Sequence, residues 1–163
     1  MFEYRHPPMS SKPFVLFLSA HDAVRGLMAE ALLRNRAGDR FEVLSAGVFP
    51  KEAHPLTRRV LEEIGIDVRG LASRNVRDYL ARIPVQIAVI LGGEEALGPK
   101  LYPFAPTLLR WHVEDPSAGD FPDAERVERF RRTRDLLRDR IEAWVTGAAS
   151  ASPDPVFSGS AAR

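Results

Sequence analysis

The sequence contains no cysteine. That absence removes disulfides, thiolate metal sites and any cysteine nucleophile together. Long hydrophobic runs are missing too. The most apolar stretch, Val85–Leu91, carries Gln86 and falls far short of the roughly 20 residues a membrane-spanning helix needs. Residues 1–12 have charges and two prolines but no apolar centre, so they do not read as a secretory signal. Neither sign of charge dominates: 23 Lys+Arg against 22 Asp+Glu leave +1, which offers no global field to nucleic acid or a membrane. The four histidines are scattered without metal-ligand spacing, so no metal and no other cofactor is expected. These absences leave the expectation of a cytoplasmic protein, monomeric or homodimeric, without nucleic-acid or membrane partners.

What is present has the balance of a globular domain, 45% hydrophobic and 28% charged residues over 163 positions. That length supports one core, not two. Residues 1–12 lack periodicity and read as a flexible segment. Residues 147–163 (GAASASPDPVFSGSAAR) offer few apolar side chains against their ordering entropy and read as a disordered tail with one aromatic, Phe157. The domain is therefore expected over 13–146.

Within it, short apolar runs alternate with helical periodicity. Phe14–Leu18, Phe41–Ser45, Val85–Leu91 and Leu108–His112 read as buried strands. Helices are expected over Val24–Ala37, from Pro55 through Ile64, in a short piece at Asn75–Ala81, and over Asp123–Val145. Apolar strands alternating with helices predict an α/β fold, a four-stranded parallel sheet in the order 2-1-3-4 with helices on both faces. Ligands of such sheets bind beyond the carboxyl end of the first strand, at the switch point. Here that is the loop Ser19–Arg25.

The stretch VLFLSAHDAVRGLMAEALL (Val15–Leu33) resembles the low-molecular-weight protein tyrosine phosphatases and the thioredoxin-coupled arsenate reductases of the same fold, whose pattern is strand, Cys-x5-Arg-Ser/Thr, helix. The likeness continues through AGDRFEVLSAG, HPLTRRVLEEIGID, WHVEDPSAG and FRRTRDLLRDRIEAW. It implies a loop whose backbone amides curl round a tetrahedral oxyanion while an arginine fork takes two of its oxygens. A cysteine thiolate attacks phosphorus or arsenic, and an aspartate protonates the leaving oxygen. Carried over, the catalytic positions are Ser19, Arg25 and Asp115, the last in Asp115-Pro116. The anion-binding loop is Ser19, Ala20, His21, Asp22, Ala23, Val24 and Arg25.

The departures decide the functional expectation. Ser19 stands at the nucleophile position, and a serine hydroxyl is a poor nucleophile without an adjacent base. Ala20 and Ala23 replace hydroxyl residues, Asp22 replaces the bracing asparagine, and Gly26 replaces the Ser/Thr that supports the thiolate. Leu91 and Gly98 stand where the reductases carry their relay cysteines, and thiol–disulfide exchange requires sulfur. An engineered cysteine-to-serine exchange explains Ser19 alone and none of the other changes. The chain reads as a pseudoenzyme that binds an oxyanion, a phosphorylated ligand or a protein partner. The alternatives are different chemistry by the remodelled loop, with Asp115 or Asp22 as acid/base, or weak phosphomonoester hydrolysis.

Asp22 is expected either to oppose a dianion from the mouth of the loop, by a few kcal/mol at about 4–6 Å, or to pair with Arg25. Arg25 has two readings, oxyanion ligand or structural ion pair with Asp22 or Asp115. His21, beside Ser19 and Asp22, matches a Ser-His-Asp set only in residue types, since neighbours on a tight loop rarely aim at each other. His54, before Pro55, reads as a helix cap or surface residue. His112 reads as a structural residue or a pocket wall.

Overall fold

The computed structural model describes residues 12–79, 82–92, 105–147 and 154–155. The apolar run after Pro13 forms β1 (Phe14–Ser19), in which Val15 to Leu18 are fully buried. β2 (Glu42–Gly47) and β3 (Val85–Leu91) flank it in parallel, and β4 (Thr107–Trp111) runs parallel to β3. This is the predicted order 2-1-3-4. A central parallel strand must be apolar on both faces. Val15 and Phe17 enter one core and Leu16 and Leu18 the other. At the outer edge of β4, Asp154–Pro155 (β5) pairs antiparallel with Arg110 and Leu109. Of the tail expected over 147–163, Gly147 and these two residues are among the described residues. Phe157 and residues 1–11 lie outside the described residues.

Three helices cover the Val15/Phe17 face: α1 (Arg25–Ala37), α2 (Pro55–Glu62) and α3 (Asp123–Thr146). Val24, predicted to be helical, is the N-cap of α1. α2 stops short of Ile64, because Gly65 turns back with φ +77° and its N–H bonds the Glu62 carbonyl. α3 is strapped to the end of α2. The buried Arg134 donates through Nη1 to Val60 O (2.8 Å) and Glu63 Oε2 (3.0 Å), and Arg131 grips both Glu63 oxygens. On the opposite face, the helix predicted at Asn75–Ala81 is a single 3₁₀ turn, Val76–Asp78, with Asn75 capping the Arg77 N–H. Ala81 lies outside the described residues. Val76 and Tyr79 pack there against Leu16 and Leu18. No described helix is long and apolar enough to cross a membrane.

The fold delivers one crossing to the switch point. β1 ends at Ser19 opposite Gly47 of β2, and the chain turns through residues 20–24 into α1. A Cβ on Gly47 would lie 2.9 Å from Ala20 O, Asp22 N and the His21 carbonyl carbon. Only glycine lets the loop lie flat against β2.

Candidate oxyanion site

The loop 20–24 is fixed by its carbonyls. Phe49 N–H donates to Ala20 O and Lys51 N–H to His21 O, both at 2.9 Å. Ser73 Oγ also donates to His21 O, at 3.1 Å. His54 N–H (3.0 Å) and Thr57 Oγ1 (2.9 Å) donate to Ala23 O. Met28 N–H takes Val24 O as the first bond of α1. Asp22 has φ +48°, the left-handed conformation that side chains other than Asn and Asp seldom adopt. Its N–H donates to Ser19 Oγ at 3.2 Å.

Beside the loop lies a cavity of about 210 Å³ lined by Ser19, His21, Asp22, Ala23, Val24 and Arg25, with Asp115 and Ser117 on another wall. The three catalytic positions thus meet at one cavity, as do all the expected loop residues except Ala20. Arg25, the first residue of α1, is buried and donates through Nη1 to Val113 O (3.0 Å). The arginine fork is therefore oriented by the segment after β4. Asp115 is fixed from the same segment, its Oδ1 accepting from Ser117 N–H (2.9 Å) and Oγ (2.6 Å).

Asp22 does neither of the two things expected of it. Its side chain is fully buried beneath the loop, with Oδ2 accepting the Arg74 N–H at 3.0 Å. Oδ1 is buried without a donor. The positive φ turns the carboxyl down, and Gly26 leaves it room, since a Cβ there would lie 2.5 Å from Asp22 Oδ1. The carboxylate therefore does not stand in the mouth of the loop, and Arg25 is not its partner. Burial pushes the Asp22 carboxyl up from 3.8 to about 7, against the lowering effect of the Arg74 N–H.

The buried surroundings of Asp22 escaped sequence reasoning. Ser45 of β2 donates to Glu30 Oε2 (2.8 Å) and also reaches Asp22, while Arg34 holds Glu30 Oε1 at 2.6 Å. One signal was readable: Glu30 is a charge inside the apolar run Leu27–Leu33 of α1. The histidines divide. His21 Nδ1 donates to Phe49 O (2.9 Å), and with Asp22 buried no Ser-His-Asp relay forms. His54 caps α2 by accepting the Leu56 N–H at Nδ1 (3.1 Å), and it stacks on Phe130 at the cavity edge. Burial, helped by Arg126, lowers its pKa. His112 lines a neighbouring groove with Arg129 and Arg132. Leu91 is fully buried in β3, and Gly98 lies outside the described residues.

Comparison with known proteins places this geometry. An arsenate reductase of Halalkalibacterium halodurans is 28% identical over 135 residues, 83% of this chain and 96% of that protein. A solved arsenate reductase in the phosphate binding state is 25% identical, with a TM-score of 0.68 over 83% of this chain and 98% of its own. A low molecular weight protein tyrosine phosphatase from T. tengcongensis shares the fold at 21% identity and a TM-score of 0.68, over 83% of this chain and 99% of its own. Residues 14–152 match the low molecular weight phosphotyrosine protein phosphatase family over most of the chain, and it is to this family, in a form without the thiol, that the protein belongs.

Proposed function

We propose that the chain is a non-catalytic family member that binds a small oxyanion or a phosphorylated ligand at the Ser19–Arg25 loop. One observation carries the reading. The Arg25 fork, the loop at the N-terminus of α1 and Asp115 converge on one cavity, while the place of the nucleophile holds a hydroxyl. Loop carbonyls are tied to residues 49–57 and to Ser73, and a nest of amides at a helix N-terminus attracts anions. A relative of known structure in a phosphate binding state lends support. Ser19 Oγ accepts the Asp22 N–H, and the Asp22 carboxyl lies beneath the loop, bonded to the Arg74 N–H and not to Ser19.

Titration calorimetry with phosphate should give millimolar binding to the wild type and none to folded Arg25→Ala. The wild type should hydrolyse p-nitrophenyl phosphate negligibly. Turnover of about 1 per second or more, abolished by Arg25→Ala, would favour the second reading, hydrolysis using Asp115 across the cavity from Ser19.

A further inference from the structure

The Asp22 carboxyl is the one acid of the site that faces the protein interior. Around it stand Glu30 and Arg34 from α1, Ser45 from β2, and Arg74 and Tyr79 from the segment around the 3₁₀ turn. Their pairings are unequal. Glu30 has the Arg34 guanidinium on one oxygen and the Ser45 hydroxyl on the other. Arg74 gives Asp22 only its backbone N–H, its guanidinium donating to Tyr79 Oη at 2.9 Å. Two acids thus share the space around one serine, and only Glu30 has a guanidinium bonded to it. Two carboxylates so placed do not both ionise readily. Burial, with Glu30 nearby, favours the protonated form of Asp22. Oδ1 is buried with no hydrogen-bond partner, a place that a neutral carboxyl occupies at less cost than an anion.

Ionisation undoes this arrangement. The anion would sit in a fully buried place, facing Glu30, with no donor on Oδ1. Its escape is to swing outward. An outward move withdraws the carboxyl from the Arg74 N–H, the bond that ties the left-handed turn at Asp22 to the segment before the 3₁₀ turn. We propose that Asp22 is a proton-dependent positioning residue: neutral, it holds the loop in the shape that takes an oxyanion, and ionised, it releases that shape, so that affinity falls as the pH rises. The proposal rests on the oxyanion-binding reading above. A carboxyl raised to about 7 puts the change within a physiological pH range.

Sulfate is the probe, because it stays doubly charged where phosphate itself titrates. Its affinity is measured from pH 5.5 to 8.5 for the wild type, Asp22→Asn and His21→Gln. His21→Gln is the control for a cationic histidine at the cavity. If only the neutral form binds, the wild type weakens about 30-fold across that range. His21→Gln should weaken similarly, while Asp22→Asn, permanently neutral, changes less than about 3-fold. A flat wild-type profile, or an Asp22→Asn profile as steep as the wild type, overturns the proposal.

Carboxyl and amide NMR on the free protein gives a readout independent of ligand. An Asp22 midpoint far above the usual carboxylate range, with the amides of residues 20–25 moving at the same midpoint, supports the coupling. Loop amides that ignore the Asp22 titration overturn it. If sulfate binds none of the three proteins at any pH, the oxyanion reading fails, and the NMR titration still decides whether Asp22 positions the loop.

Discussion

At the scale of single residues, the direction of one side chain decides what the loop is. Asp22 read as a charge at the mouth of an anion site, because residue order gives no depth. Its depth comes from φ +48° at Asp22, from the missing side chain at Gly26 and from the Arg74 N–H 52 residues later. Burial also fixes a stability signature. The folded chain holds the Asp22 proton up to about pH 7, whereas the unfolded chain releases it near 3.8. Asp22 therefore favours the folded state less and less as pH rises between those values, and its contribution is level above them. Urea unfolding should show the wild type losing roughly 3 kcal/mol relative to Asp22→Asn between pH 5 and pH 8. A constant difference between the two proteins across that range would mean that Asp22 titrates alike folded and unfolded. That Arg25 and Asp115 would meet at one cavity was legible through the family pattern. The group that orients Arg25 was not, because Val113 acts through its backbone carbonyl and any residue has one.

At the scale of elements, the strands were the most legible. β1 and β3 are apolar runs too short for helices, and they pair as the order 2-1-3-4 requires. The piece after Asn75 was less so. Its capping residue is real, but the chain gains only one turn before Tyr79 turns inward to cover Leu16 and Leu18. Many charged residues of α3 are exposed, and several pair with one another. Arg134 is the exception: it reaches into the joint between α2 and α3 to satisfy Val60 O and Glu63. Arg134→Ala leaves the Val60 carbonyl without that donor, with Glu63 still held by Arg131, and should cost about 1–3 kcal/mol in chemical denaturation. A loss below about 0.5 kcal/mol, the size of an ordinary surface change, would show that water replaces the guanidinium freely.

At the scale of the whole molecule, the missing thiol is not one lesion. Family redox chemistry needs sulfur at the loop and at two relay positions, which Leu91 and Gly98 occupy here. Leu91 is moreover packed in the core of β3. Restoring the nucleophile alone should therefore not restore a cycle. Ser19→Cys is expected to leave thioredoxin-coupled arsenate turnover at background in an NADPH-linked assay. Sustained turnover would require a relay that the chain does not carry at the family positions.

Gly26 and Asp22 also bear on how this loop can be inherited. The carboxyl occupies the space into which a side chain at position 26 would project, 2.5 Å from where its Cβ would stand. A side chain gained at 26 meets an enclosed oxygen and must displace it, whereas the family pattern carries its hydroxyl at 26 beside an uncharged asparagine at 22. Descendants of this chain that gain a side chain at 26 should show an accompanying change at 22, such as the asparagine of the family pattern.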